Sequence, residues 1–125
     1  MTNKKRAITI VDDDEFLLDM YAIKFRKEGY AVTTYSDGSS AIDGISESNP
    51  DIVLLDVVMP GMDGIEVLQK LKSEENTKDI PVVLMTNLDG EDVRKRGAQS
   101  GALYFINKAA YLPKAVVRMV DEILE

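Results

Sequence analysis

The chain has neither cysteine nor histidine among its 125 residues. Without cysteine it can form no disulfide, no thiolate nucleophile and no sulfur-ligated metal site. Without histidine it cannot build the Ser-His or Cys-His pairs of hydrolases, nor a zinc site based on imidazole. Any nucleophilic or metal chemistry in this protein therefore depends on carboxylates, hydroxyls and amines.

Basic residues are outnumbered as well, because 15 Lys and Arg stand against 22 Asp and Glu, a formal net charge of -7. This balance argues against direct nucleic-acid binding by the domain. No apolar run is long enough to cross a bilayer, and the basic residues at 4–6 have no apolar segment behind them, so we predict neither a membrane span nor a signal peptide. The length fits a single domain over residues 1–125, which we expect to be soluble and cytoplasmic.

Strand-like and helix-like patterns alternate along the whole chain. Short β-branched or all-apolar runs predict five strands, at residues 7–11, 31–35, 52–55, 80–85 and 102–106. Helical spacing or helix-start and helix-stop residues predict five helices, at residues 15–28, 39–48, 65–72, 89–100 and 112–124. The alternation predicts an α/β domain with a five-stranded parallel sheet and helices on both of its faces.

Two of these elements are expected to differ from the rest. The threonines in the strand at 31–35 predict a less buried, edge-like position. The helix at 89–100 has few apolar residues, and Gly97 inside it costs ~1 kcal/mol relative to alanine. We therefore predict that this helix is mobile on its own, with weak amide-exchange protection.

Polar residues follow four of the predicted strands: Asp12 with Asp13, Asp56, Thr86, and Lys108. The carboxyl ends of parallel strands share one edge of the sheet, where open α/β sheets bind ligands. Each of these residues alone could be only a helix cap, a turn residue or a surface cation. Their coincidence at four strand ends favours a functional site.

Such a group of side chains supports a particular chemistry. Clustered carboxylates repel one another unless a cation joins them, and oxygen-only ligands select a hard ion such as Mg²⁺. A carboxylate can also attack phosphorus and form an aspartyl-phosphate. An ammonium group and Mg²⁺ would neutralise the transferred group, and a hydroxyl and backbone N–H groups would add hydrogen bonds.

The motifs at residues 11–14, 54–64, 85–86 and 101–108 resemble those of receiver domains of two-component response regulators. The resemblance extends over essentially the whole chain. It implies a flavodoxin-like, doubly wound fold with strand order 2-1-3-4-5, an order known for the chemotaxis member of the family. It also implies a phosphorylation-dependent signalling switch rather than an enzyme, one that catalyses only its own phosphotransfer and dephosphorylation.

The resemblance assigns the phosphoryl chemistry to particular positions. Asp56 is similar to the phosphoacceptor, which takes the group from a phosphohistidine on a sensor histidine kinase or a phosphotransfer protein. Asp12 and Asp13 are similar to the acids beside Mg²⁺, Asp13 being the more direct ligand. The backbone carbonyl of Val58 would complete the protein ligands, and Lys108 would pair with the phosphoryl group.

The resemblance also implies a switch and an output surface. Thr86 would be the hydroxyl that moves toward the phosphoryl group, and Phe105 the aromatic side chain that turns inward on activation. A plain core role is the alternative for Phe105, and its neighbour Tyr104 is the weaker candidate for the switch. The last two helices and the fifth strand would bind a downstream protein or an output domain.

Several positions depart from the family's pattern. Ala109 replaces the usual proline after the lysine, and a cis bond costs ~2.5–4 kcal/mol without proline against ~0.5–1 with it. The Lys108–Ala109 bond is therefore either trans, with an altered loop, or cis under strain. Asn87 is larger than the family prefers and is expected to narrow access to the phosphoacceptor. Val58 and Leu88 are apolar and cannot orient a hydrolytic water, which predicts slow self-dephosphorylation.

Two other functions share part of this pattern. A Mg²⁺-dependent phosphohydrolase of the haloacid-dehalogenase type also uses aspartate, threonine and lysine. In enzymes that match this family's pattern, a second acid two residues after the nucleophile acts as the general acid. Val58 occupies that position here, which argues against enzymatic turnover. A flavin-binding module on the same fold is disfavoured by the acidic crevice and by the lack of a Gly-rich phosphate loop. A phosphatase assay with a chromogenic ester would separate the enzyme from the switch.

Overall fold

The computed structural model describes residues 5–87 and 90–125. Strands and helices alternate strictly in this part of the chain, and none of its helices has the length and apolar character needed to cross a membrane. The elements are β1 (Ala7–Val11), α1 (Glu15–Lys27), β2 (Ala31–Tyr35), α2 (Gly38–Ser48), β3 (Ile52–Asp56), α3 (Gly64–Ser73), β4 (Val82–Thr86), α4 (Glu91–Gln99), β5 (Tyr104–Asn107) and α5 (Pro113–Leu124).

All strand pairs are parallel and the sheet has the order β2-β1-β3-β4-β5. The predicted fold class and strand order are therefore confirmed, as is the edge position of β2. The register aligns the strand ends, because Asp56 lies opposite Met85 and Thr86 lies opposite Asn107. This alignment brings residues distant in sequence to one edge of the sheet.

Helices cover both faces of the sheet, as predicted. On one face, α1 and α5 pack their apolar side chains, such as Phe25 and Val116, against the sheet. On the other face, α2 and α3 contribute residues such as Ile45 and Leu68. Every residue of β3 is buried, which explains its nearly uninterrupted apolar sequence.

The fourth and fifth strands lie one or two residues later than predicted. β4 begins at Val82 because Pro81 has no backbone N–H to give to a ladder, although its carbonyl accepts a hydrogen bond from Val53 N at 3.0 Å. The shift places Thr86 and Asn107 inside strands rather than after them. The polar residues of the predicted site are accordingly held by ladder geometry as well as by loops.

Helix α4 is the most weakly packed helix of the described chain. It has one buried residue, Gly97, and its N-cap Gly90 makes no side-chain capping hydrogen bond. A Cβ atom at Gly97 would lie 2.6 Å from Leu84 Cδ1, so the glycine allows the helix to approach the sheet closely. The predicted mobility of this helix stays a prediction, but the glycine also has a packing role.

The described residues contain no cis peptide bond. The Lys108–Ala109 bond is therefore trans, the first of the two alternatives considered for this position. The turn is held locally, because Asn107 Oδ1 accepts a hydrogen bond from Ala109 N at 2.9 Å and Ala110 N donates to Asn107 O at 3.0 Å.

Candidate functional site

A cavity of about 370 Å³ opens at the carboxyl edge of the sheet. It contains every residue predicted to take part in phosphoryl or metal chemistry. Its lining consists of Asp12, Asp13, Asp14, Leu17, Asp56, Val58, Thr86, Asn87 and Lys108. The sequence pattern did not single out Leu17, which faces the cavity from α1 because of its helical phase.

Asp56 reaches this cavity because β3 ends there and the chain turns at once into α3. Gly64 N donates to the Val57 carbonyl at 2.8 Å, which closes the intervening loop. A Cβ atom at Gly64 would lie 2.1 Å from the Asp56 carbonyl oxygen, so only glycine fits at this place. The reciprocal capping box between Asp63 and Glu66 then fixes the start of the helix.

The acidic residues after β1 have separate tasks. Asp12 is buried, and its Oδ1 accepts a hydrogen bond from Asp14 N at 2.9 Å. Asp14 is the N-cap of α1 and accepts from the N–H groups of Phe16 and Leu17. Asp13 is exposed and lies between them. The cap at Asp14 therefore leaves Asp12 and Asp13 to the cavity.

Asp12, Asp13 and Asp56 could hold a metal ion. One carboxylate oxygen from each lies within 4.8 Å of the others. These ligands are all oxygen, and two of the three side chains are buried. This donor set fits a hard divalent cation such as Mg²⁺, which binds through a few carboxylates and keeps some of its waters. The Val58 side chain is exposed at the same cavity.

The buried ammonium of Lys108 lies between the carboxylates. Its Nζ is 2.5 Å from Asp12 Oδ2 and 3.3 Å from Asp56 Oδ1, and all three side chains are at most 8% exposed. Lys108 N donates to the Thr86 carbonyl at 2.9 Å, which anchors the lysine to the end of β4. Burial by itself would lower the pKa of Lys108, but the hydrogen bond to Asp12 and the charge of Asp56 outweigh it and raise that pKa.

Asp56 carries the most perturbed carboxyl group of the site. Burial raises its pKa to about 6, against the opposing charge of Lys108, and the neighbouring charge of Asp12 adds to the rise. A carboxylate must be ionised to act as a nucleophile, so a bound cation would favour the reactive form. Strongly shifted carboxyl groups inside a cleft are typical of functional sites.

The predicted switch residues lie on neighbouring strands. Thr86 is fully buried at the end of β4 and lines the cavity. Phe105 is half-buried on β5, opposite Leu84, and is not among the residues that line this cavity. Tyr104 is 53% exposed and lines a separate groove against α5. Leu88, predicted to flank the path of hydrolytic water, lies outside the described residues.

A second cavity, of about 460 Å³, adjoins the first. The two share Leu17, Asn87 and Lys108, and the second extends between α1 and the loop that joins β5 to α5. Large apolar side chains are exposed nearby, at Phe16, Tyr111 and Leu112. Sequence reasoning missed this feature, although apolar residues beside predicted loops were a visible signal for it.

Comparison with known proteins agrees with this arrangement. The family model described as response regulator receiver domain matches residues 8–120. The chain belongs to this family. It is thus a receiver domain of two-component response regulators, a class of signalling proteins. The family resemblance inferred from the motifs is confirmed.

Two relatives and one solved structure show how far the likeness extends. The response regulator PleD of Caulobacter vibrioides is 46% identical over 101 residues, which cover 81% of this chain and 22% of PleD. TcrX of Mycobacterium tuberculosis, named a probable transcriptional regulatory protein, is 38% identical over 112 residues, 90% of this chain and 47% of TcrX. The chain thus spans less than half the length of either relative. The chemotaxis protein CheY4 of Vibrio cholerae has a TM-score of 0.90 at 23% identity, with 97% of this chain and 100% of that chain covered.

Proposed function

We propose that residues 1–125 form one receiver domain that accepts a phosphoryl group on Asp56 and acts as a phosphorylation-dependent switch. The observation that carries this proposal is the geometry around Asp56. Its buried carboxylate lies within 4.8 Å of the acids Asp12 and Asp13 and 3.3 Å from the Lys108 ammonium. The donor is the phosphohistidine of a sensor histidine kinase or of a phosphotransfer protein.

Mg²⁺ would be held by the carboxylates of Asp12, Asp13 and Asp56 with the backbone carbonyl of Val58, and it would supply charge neutralisation at the phosphoryl oxygens. The chain's own residues do the rest. A carboxylate oxygen of Asp56 attacks the phosphorus, the P–N bond to the donor histidine breaks, and the leaving imidazole nitrogen takes a proton from solvent. Lys108 pairs with the transferred group, and the Thr86 hydroxyl donates a hydrogen bond to it.

Signalling follows from a shift between two conformations. The aspartyl-phosphate draws Thr86 toward the site, Phe105 turns inward, and the surface of α4, β5 and α5 changes. That surface would bind a downstream protein or an output domain. The exposed apolar side chains Phe16 and Leu112 suit contact with the phosphodonor, because Leu112 lines the second cavity and Phe16 directly precedes Leu17, which lines both cavities.

The proposal makes the protein a switch and not an enzyme with external turnover. A hydrolase of the haloacid-dehalogenase type would need a general acid two residues after the nucleophile, and Val58 has no titratable group. The same apolar side chain, 52% exposed at the cavity, cannot orient an attacking water. Self-dephosphorylation is therefore expected to be slow and the phosphorylated state long-lived.

Phosphotransfer from phosphoramidate tests the proposal, because this small donor carries the same P–N bond as phosphohistidine. We expect Mg²⁺-dependent labelling of the wild type and none of Asp56→Asn. Asp43→Asn is the matched control, since Asp43 is an exposed acid on α2. Phosphoryl label that persists in the Asp56→Asn protein would contradict the proposal. Steady turnover of a chromogenic phosphate ester would support the hydrolase instead.

A further inference from the structure

The side chain of Arg94 on α4 covers Phe105 on β5. The guanidinium carbon lies 5.1 Å from the centroid of the phenyl ring. Arg94 is otherwise exposed, while Phe105 is half-buried. A cation within ~6 Å of a ring face is attracted by the ring's quadrupole, and arginine is the residue that most often makes this contact. The pair therefore stabilises the ring in the position that the structure shows.

The backbone of α4 holds Arg94 in place over the ring. Gly97 lies three residues later, on the same side of the helix. A Cβ atom there would meet Leu84 Cδ1 at 2.6 Å and Phe105 Cδ2 at 3.9 Å, so the helix backbone lies close above both side chains. Leu84 is also the register partner of Phe105 across the β4–β5 ladder. The helix, the leucine and the ring thus form one packed unit.

The same unit lies on the face of the sheet that contains Thr86. Side chains alternate along a strand, so Leu84 and Thr86 share a face of β4. Phe105 is the register partner of Leu84, and Asn107 is the partner of Thr86. The ring therefore lies on the same face, two residues before the level of the threonine. A movement of the ring toward Thr86 would therefore run along this face of the sheet, and it would change the contact of the ring with the guanidinium.

We propose that Arg94 is a positioning residue that holds Phe105 where the structure shows it, half-buried beside Leu84, and so sets how readily the ring can turn inward on activation. This inference rests on the proposed function, because it acts on the switch between the resting and phosphorylated states. Any ligand that favours the inward ring must displace it from Arg94. Removal of the cation lowers that cost, so the active conformation becomes easier to populate.

Fluorine NMR of the 4-fluorophenylalanine-labelled protein, titrated with beryllofluoride and Mg²⁺, tests this role. The chain has three phenylalanines, and the fully buried Phe25 on α1 is an internal reference for the intact fold. We expect Arg94→Gln to shift the Phe105 resonance before any beryllofluoride is added. We expect it also to lower the half-saturating beryllofluoride concentration about twofold to fivefold, equivalent to ~0.5–1 kcal/mol of lost cation–π attraction.

Two further variants separate the ring contact from a general effect of charge. Arg96→Gln removes the same charge from another exposed position of the same helix, one that faces away from the ring, and should leave both the resonance and the titration as in wild type. Arg94→Lys keeps a cation near the ring and should lie closer to wild type than Arg94→Gln does. Each variant should leave the Phe25 resonance in place.

The inference is overturned if Arg94→Gln and Arg96→Gln behave alike, or if Arg94→Gln raises the beryllofluoride concentration that is needed. Failure of Arg94→Lys to restore any of the loss would equally contradict a cation–π role. One further result would contradict the proposed function itself. If wild-type protein shows no response to beryllofluoride and Mg²⁺, the domain has no working acceptor site and the inference about Arg94 fails with it.

Discussion

The Lys108 ammonium lies nearer to Asp12 than to Asp56, at 2.5 Å from the first carboxylate and 3.3 Å from the second. The lysine thus compensates two buried acids at once and is the cation of the site before any metal binds. A divalent ion at the same acids competes with that ammonium for Asp12. Release of the lysine from Asp12 would leave it free to pair with a phosphoryl group on Asp56.

Replacement of Lys108 by methionine should expose this competition. Removing one partner of a buried ion pair costs ~3–5 kcal/mol because the remaining charge is uncompensated. We expect the free energy of unfolding of Lys108→Met to fall by about 3 kcal/mol at neutral pH without Mg²⁺. Added Mg²⁺ should recover much of this loss, because the ion takes over the charge. Urea unfolding of the two proteins with and without Mg²⁺ measures both effects.

The exposed residue Lys114 supplies the control for that experiment. Lys114→Met removes the same charge at the start of α5 and should change stability by less than ~0.5 kcal/mol. A Lys108→Met protein as stable as the control without metal would show that the acids do not depend on the ammonium.

Asp56→Asn should stabilise the metal-free protein at neutral pH. The folded-state pKa of Asp56 is about 6, above the value of 3.8 expected when unfolded. The folded protein therefore binds more protons at this carboxyl between these values, so the stability that Asp56 contributes is fully present below 3.8 and is lost as the pH rises through about 6. The amide carries no charge at any pH. Above this window we expect the variant to exceed wild type by up to ~3 kcal/mol.

Chemical unfolding from pH 3.5 to pH 8 measures this effect directly. The difference between variant and wild type should shrink toward acid pH and should also shrink when Mg²⁺ is added, since a cation favours the ionised carboxylate. A difference that does not change with pH would contradict the raised pKa of Asp56.

Gly64 should be intolerant of any side chain. A Cβ atom at this position would meet the Asp56 carbonyl oxygen at 2.1 Å and Val57 Cα at 2.8 Å, both of them backbone atoms that cannot turn away. We expect Gly64→Ala to cost about 3 kcal/mol and to displace the acceptor, so that phosphoramidate labelling falls with stability. Gly90→Ala is the control, because the nearest atom to its Cβ is Val93 Cγ2 at 4.0 Å. Equal stability of the two variants would rule out the backbone overlap.

The fold and the residues that line the site could be predicted because both depend on local sequence patterns. The apolar run at β3 and the polar residues at the strand ends are visible in the sequence, and parallel strands bring those ends together. The finer relationships depend on distances between remote segments. The contact of Lys108 with Asp12 joins residues 96 positions apart. The position of Arg94 over Phe105 likewise depends on how closely α4 approaches β4.

Gly97 illustrates the same limit. Helix propensity alone marks this glycine as a weakness of α4. The structure shows a close approach to Leu84 that a larger residue would disturb. No single-sequence pattern distinguishes a glycine that merely weakens a helix from one that lets it pack.

Tyr30 should contribute to stability through its bond to α5. Its hydroxyl donates a short hydrogen bond to Asp121 Oδ1, and its ring packs edge-on against Phe25 with centroids 5.2 Å apart. Burial and the bond to Asp121 raise the pKa of Tyr30 to about 12. The stability from this group is thus present below its ordinary pKa of 10.0 and is lost as the pH rises through about 12.

We expect Tyr30→Phe to cost about 1 kcal/mol in urea unfolding at neutral pH, against no loss for the exposed Tyr104→Phe. Equal losses in the two would contradict the role of this bond.

Phe16 should matter for a protein donor and not for a small one. It lies in the first turn of α1, beside the acceptor-cavity residue Leu17, and is 79% exposed. Burial of such a ring against a donor is worth ~1.5–3 kcal/mol, so Phe16→Ser should slow phosphotransfer from the cognate kinase at least about tenfold. Labelling by phosphoramidate should not change, because that donor needs no docking surface.

Leu103→Ser is the matched control. Leu103 is also apolar and is 50% exposed, but it lies at the opposite end of the sheet, where Leu103 N donates a hydrogen bond to Val82 O. If both variants slow the kinase reaction equally, or if neither does, the donor does not dock on α1.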